Sequence, residues 1–142
     1  MTRFCLLGPT YPYRGGIAHY TTLLTQTLRE AYETLLISFS NQYPKLLFPG
    51  RSDRDPSENP LRTEAEYLLN PLNPLSWRTA LKRMRDWQPD VVIIPWWHPY
   101  FAPMWAVMGR GIKRLPSRPK LLFICHNVLP HEQSKLSKMV LP

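Results

Sequence analysis

The sequence predicts an α/β domain: an open parallel sheet flanked by helices. Three observations carry that expectation. Short apolar runs alternate along the chain with segments of helical periodicity. One run, Val91 to Ile94, is apolar at every position, as a strand covered on both faces must be. Gly8-Pro9, Gly15-Gly16 and Pro89 punctuate the boundaries between runs and helical stretches.

Each element follows in order. Arg3 to Leu7 (RFCLL) reads as the first strand, closed by Gly8-Pro9. After the glycine pair, Ile17, Tyr20, Leu24, Leu28 and Ala31 recur at helical spacing, with Thr22, Thr25, Gln26 and Arg29 on the other face. Thr34 to Phe39 (TLLISF) is the second strand. Residues 40–73 are proline-rich and polar and read as one long loop, with room for a short helix at RTEAEYLL, residues 62–69. Asn73-Pro74 is an N-cap followed by proline at the first helical position. The stripe of that helix is Trp77, Ala80, Leu81, Met84 and Trp87, with Arg78, Lys82, Arg83 and Arg85 off it. Val91 to Ile94 is the third strand. A helix is predicted over Tyr100 to Arg110, with Pro103 in its first turn and Gly111 near its C-cap. Lys120 to Cys125 (KLLFIC) is the fourth strand, and HNVLPHEQSKL leads into a further helix.

The bulk properties exclude several classes. A chain of 142 residues is the size of one domain, here taken as residues 1–142 with the long loop inside it. A hydrophobic content of 44% is too high for a disordered tail. Cys5 and Cys125 each lie in an apolar run and read as buried, reduced thiols, too few for a disulfide framework. No apolar run is long enough for a signal peptide or a membrane span. The expectation is a cytoplasmic protein, with peripheral contact at the inner membrane face. Eighteen Lys and Arg against ten Asp and Glu give a net charge of +8, which favours anionic partners without choosing among phosphates, nucleic acid and acidic lipid.

In an open parallel sheet, ligands bind beyond the carboxyl ends of the strands. The first strand leads into YPYRGG, the third ends at PWWH, and the fourth runs directly into His126-Asn127. His98, His126 and His131 are thereby brought toward the edge that carries Gly15-Gly16. Glycines at a helix start let backbone N–H groups approach a ligand with no Cβ in the way, and the helix end favours an anion. Arg14 would add a full charge. The same glycines serve equally well as a tight turn. GPTYPYRGG matches neither the dinucleotide fingerprint nor a P-loop. His126, His131 and Glu132 fit no zinc spacing, no nucleophile elbow is present, and no metal or other cofactor is expected. Trp96 and Trp97 read as packing.

GPTYPYRGGIAHYTTLL (residues 8–24) resembles the first loop and helix of family-four retaining glycosyltransferases of the GT-B fold. QPDVVIIPWWH (88–98) and LLFICHNVLPHE (121–132) are similar to the third and fourth strand regions of the same N-terminal domain, and YPKLLFPG (43–50) to part of its long loop. The resemblance covers most of the chain in order. It implies a Rossmann-like, acceptor-side domain whose partner domain binds a nucleotide-diphosphate sugar. By resemblance Gly15, Gly16 and Arg14 approach the donor diphosphate and His126 lies near the transferred sugar, as the catalytic residue. His98, Asn127, His131 and Glu132 line the sugar and acceptor region. The acceptor is a hydroxyl on a glycan, a lipid-linked molecule or a small molecule. The family's C-terminal signature does not follow His126, so a further domain or partner chain is expected to complete the enzyme, and this chain alone is expected to be inactive.

A second class is a non-catalytic α/β binding module. Arg78, Lys82, Arg83 and Arg85 form one basic cluster, and Lys113, Arg114, Arg118 and Lys120 another. The resemblance, to a family many of whose members glycosylate lipid-linked acceptors, favours acidic lipid over nucleic acid, which is not the expected partner. A third class, a response-regulator domain, needs clustered acids where this sequence has Gly and His.

Overall fold

The computed structural model describes residues 2–13, 15–42 and 61–126. Among them the chain runs β1 (Arg3–Leu7), α1 (Gly16–Arg29), β2 (Glu33–Phe39), β3 (Glu66–Leu69), α2 (Pro74–Trp87), β4 (Val91–Trp96), a 3-10 turn (Pro99–Phe101), α3 (Ala102–Lys113) and β5 (Lys120–Cys125). The strands form one parallel sheet in the order β3-β2-β1-β4-β5. This is a Rossmann-like α/β arrangement, as the alternation of strand and helix predicts.

β1 is the centre of the sheet because it is apolar on both sides. Cys5, Leu6 and Leu7 are all buried, and the strand pairs with β2 through Leu6–Leu36 and with β4 through Leu6–Ile93. Alternate residues feed two cores. Cys5, Leu7, Ile37, Val92 and Ile94 face α2 and α3, with Met84, Met104 and Met108 packed on them. Leu6, Leu36 and Ile93 face the other way and are covered by Leu24 and Leu28 of α1. Pro95 sits inside β4 without harm, because pairing with β1 ends at Ile93 and its missing N–H falls beyond that ladder.

Three expectations are corrected. The stretch at residues 62–69 contains a strand, not a helix: Glu66–Leu69 pairs with the exit of β2 through Ile37–Glu66 and Phe39–Leu69. The pairing buries Leu69 completely, which a free short helix could not do. On α1 the deepest stripe is Ala18, Thr21, Thr22 and Thr25, while Tyr20 and Leu23 stand exposed. The threonines tolerate burial because each hydroxyl donates to the carbonyl four residues back, from Thr21 to Ile17, Thr22 to Ala18 and Thr25 to Thr21. Gly111 lies within α3 instead of capping it; a Cβ there would come 2.6 Å from Leu81 Cδ1, so the glycine sets how closely α2 and α3 approach.

The cysteines also divide. Cys5 is fully buried, and burial pushes its thiol far above the usual range, an effect that Arg83 lessens and Glu66 adds to. Cys125 is exposed, because β5 is the last strand of the described sheet.

The amino end of the sheet is closed by the chain itself. Arg3 donates its backbone N–H to Asp90 Oδ2 at 2.8 Å, its Nε to Glu33 at 2.6 Å and its Nη1 to the Trp87 carbonyl at 2.6 Å. The Asp90 carbonyl in turn accepts from Lys120 N–H. These contacts tie β1, β2, β4 and β5 together on the side away from the ligand edge.

Candidate functional site

At the opposite, carboxyl edge, β1 passes through Gly8 into the loop that opens α1. Gly8 allows a close approach: a Cβ would sit 3.0 Å from Pro95 Cγ and 3.2 Å from Thr21 Oγ1, so those side chains would have to give way. Thr10 and Thr22 share a hydroxyl hydrogen bond of 2.5 Å beneath the loop, and the buried Tyr13 hydroxyl donates to the Phe39 carbonyl at 2.8 Å.

The loop is also held from outside. Arg62 lies over the Tyr11 ring at 4.1 Å and donates from Nη2 to the Tyr11 hydroxyl at 3.1 Å. The Tyr67 hydroxyl donates to the Tyr11 carbonyl. Gln26 of α1 donates to the Arg62 carbonyl at 2.8 Å. Burial pushes the Tyr67 phenol above its usual value, the neighbouring Tyr11 adds to the rise and Arg62 opposes it. These partners lie more than fifty residues from Tyr11, so no local pattern in the sequence announces them.

The two glycines that follow differ. Gly15 is the N-cap of α1 with φ 112, a conformation that side chains rarely adopt. Gly16 is the first helical residue, and a Cβ on either glycine would meet nothing within 4 Å among the described residues. No described side chain caps this helix, and its first turn holds no acid. Among the described residues the tip is therefore open, its leading N–H groups meet no capping side chain, and no acid offsets its partial charge.

His126 stands beside the same helix. Its backbone N–H donates to the Trp96 carbonyl at 2.9 Å, which continues the β4–β5 ladder one residue past β5. Its ring meets Tyr20 edge-on at 4.8 Å, one helical turn beyond Gly16. The two rings line a small, open depression together with Leu6, Leu24, Ile93, Pro95 and Ile124. The imidazole Nε2 is buried and has no hydrogen-bond partner among the described residues. Burial lowers the pKa of this imidazole from 6.5, so the neutral form is favoured. A neutral ring with an unmatched nitrogen can accept from, or donate to, a ligand hydroxyl.

His98 is used differently. Its Nδ1 accepts from Tyr100 N–H at 3.0 Å and caps the 3-10 turn. Burial lowers its pKa as well. It reaches the carboxyl edge as expected, but its ring is committed to the backbone on one side. Trp97 packs on Phe101 at 4.4 Å and edge-on against Phe39, the packing role read from the sequence. Arg14, Asn127, His131 and Glu132 lie outside the described residues, as does the helix expected after His126. Among the described residues no three His, Cys, Asp or Glu side chains gather as a metal site requires, and no helix is long and apolar enough to cross a membrane.

The sequence reading missed Tyr20, which it assigned to the buried stripe of α1. The hint lay in the threonines: with Thr21, Thr22 and Thr25 able to bond their own helix, the buried face can rotate and release Tyr20 toward β5.

No family model matches this sequence, and no curated protein matches it.

Proposed function

We propose that this domain is the acceptor-side half of a retaining glycosyltransferase that moves a sugar from a nucleotide-diphosphate donor to a hydroxyl acceptor. The observation that carries the reading is the pairing of a glycine helix start, uncapped among the described residues, with the unmatched imidazole of His126, which packs from the end of β5 against Tyr20 one turn along that helix. In glycosyl transfer the bond from the anomeric carbon to the diphosphate oxygen lengthens, and negative charge grows on the leaving phosphate. Fixed N–H donors at Gly16 and Ile17 stabilise that charge without reorganising, the kind of electrostatic help that contributes most in a water-poor site. Neutral His126, whose Nε2 is buried in the structure, engages a sugar hydroxyl once its ring turns outward. It does not add a positive charge beside the oxocarbenium-like ring, which a protonated histidine would do. The remaining donor contacts belong to a second domain or partner chain, so this chain alone transfers sugar poorly.

The reading is tested by ligand-observed NMR with a panel of nucleotide-diphosphate sugars and the matching nucleosides. Saturation transfer is expected for the diphosphates and not for the nucleosides, and it is expected to disappear in Gly16→Leu. Equal signals from nucleoside and diphosphate, or an unchanged signal in Gly16→Leu, would remove the phosphate role.

A further inference from the structure

The helices on the two faces of the sheet differ in charge. α1 exposes Glu30 at its end, and its one arginine, Arg29, is engaged by Thr63 and the Thr34 carbonyl. α2 and α3 lie side by side on the other face, in contact at Leu81 and Gly111. Because both descend from the carboxyl edge of a parallel sheet, they run in the same direction. Their outer stripes expose Arg78, Lys82 and Arg85 on α2, and Arg110, Lys113 and Arg114 at the end of α3. Asp86 is the one acid on the two helices. Arg83, which the sequence groups with these cations, is half-exposed but already paired: its guanidinium is forked onto Glu66, with Nε and Nη2 each 2.9 Å from a carboxylate oxygen.

The same layer has an apolar end. Leu72 and Leu75, at the start of α2, are 62% and 65% exposed. With Leu81 level with Gly111, Val107 falls near the height of Trp77, and it too is exposed. The outer face thus grades from bare aliphatic side chains at the carboxyl edge to dense positive charge toward the amino edge. A nucleic-acid surface has use for the cations and none for the exposed leucines. A bilayer with anionic headgroups uses both, since aliphatic side chains enter the acyl boundary and Lys and Arg meet the headgroups.

We infer that the α2–α3 face is a peripheral membrane-docking surface for anionic lipid, with Leu72 and Leu75 as the inserting residues and Arg78, Lys82, Arg85, Arg110, Lys113 and Arg114 as the headgroup contacts. The inference does not depend on sugar transfer. Docking by the leucine end brings the edge that carries Gly15-Gly16 and His126 toward the bilayer.

The test is co-sedimentation of the full 142-residue chain with vesicles of mixed phosphatidylglycerol and phosphatidylcholine, against vesicles of phosphatidylcholine alone, at low and high salt. Binding is expected for the anionic vesicles only and is weakened by salt. Replacing Arg78, Lys82 and Arg85 by Gln lowers partitioning at low salt by roughly a hundredfold, at about 1 kcal/mol per charge. Leu72→Ser with Leu75→Ser lowers it by about tenfold at either salt concentration. These side chains are exposed, so each variant is expected to keep the wild-type fold, which circular dichroism checks. A folded wild-type chain that ignores anionic vesicles, or binds both kinds equally, overturns the proposal. So does undiminished binding in the two leucine substitutions together, or an oligonucleotide that displaces the vesicles and binds the leucine variant as tightly as the wild type.

Discussion

Two helices begin on the same edge of this sheet, and they begin differently. α2 starts from Asn73, whose side-chain oxygen accepts from Leu75 N–H at 3.1 Å, with Pro74 at the first helical position and the Asn73 carbonyl accepting from Ser76. Its leading backbone is satisfied by its own sequence. α1 starts from Gly15, with no capping side chain, no acid in the first turn and clear space over both glycines. A glycine N-cap forgoes only a few tenths of a kcal/mol relative to a good side-chain cap, so the structure loses little by leaving these N–H groups without one. At α1 the neighbouring structure is far from careless: Tyr11 is gripped by Arg62 and Tyr67, and Thr10 by Thr22. A loop held by distant residues, ending in a helix start that no described side chain caps, is what the proposed anion site requires.

The largest break in that comparison comes from Gly15→Ala. With φ at 112 the substitution forces a side chain into strained backbone, and thermal or urea unfolding should show a loss of about 1–3 kcal/mol. Gly16→Leu separates function from fold. Its Cβ enters open space, so stability should stay within about 0.5 kcal/mol. Diphosphate affinity should fall about tenfold or more, equivalent to about 1.4 kcal/mol. Asn73→Ala reverses the pair: it should cost about 1 kcal/mol of stability and leave diphosphate binding untouched.

The smallest effect concerns pH. Burial lowers the pKa of both His98 and His126 in the folded chain. The unfolded state then binds more protons near the ordinary value of 6.5, so stability is fully present above that pH and declines as pH falls below it. Protonation of His98 also removes the lone pair that accepts from Tyr100 N–H. His98→Asn keeps a capping acceptor and removes one titration, and the acid-side decline in urea midpoint should become shallower. An unchanged pH profile would show that His98 does not contribute to it.

Much of the fold was legible in the sequence because its signals are local. RFCLL and KLLFIC are strands at the bounds expected, and Asn73-Pro74 opens a helix as its residue types require. β3 was not legible, since a four-residue edge strand is defined by its partner β2 more than by its own pattern. Cys125 looked buried because its run is apolar, yet burial depends on what covers the last strand. In the candidate site, the glycine pair and His126 could be placed on one edge by the strand-end rule. The contact between His126 and Tyr20 could not, because it depends on how α1 rotates about its axis, and the buried threonines decide that rotation.

The measurement that bears most directly on the open tip is a titration of inorganic pyrophosphate into the ¹⁵N-labelled chain, followed amide by amide. The shifts should be largest at Gly15, Gly16 and Ile17, smaller at Tyr20 and His126, and absent at Leu75 and Ser76 of the capped helix. Equal shifts at both helix starts, or none at Gly16, would contradict a prepared anion site at α1.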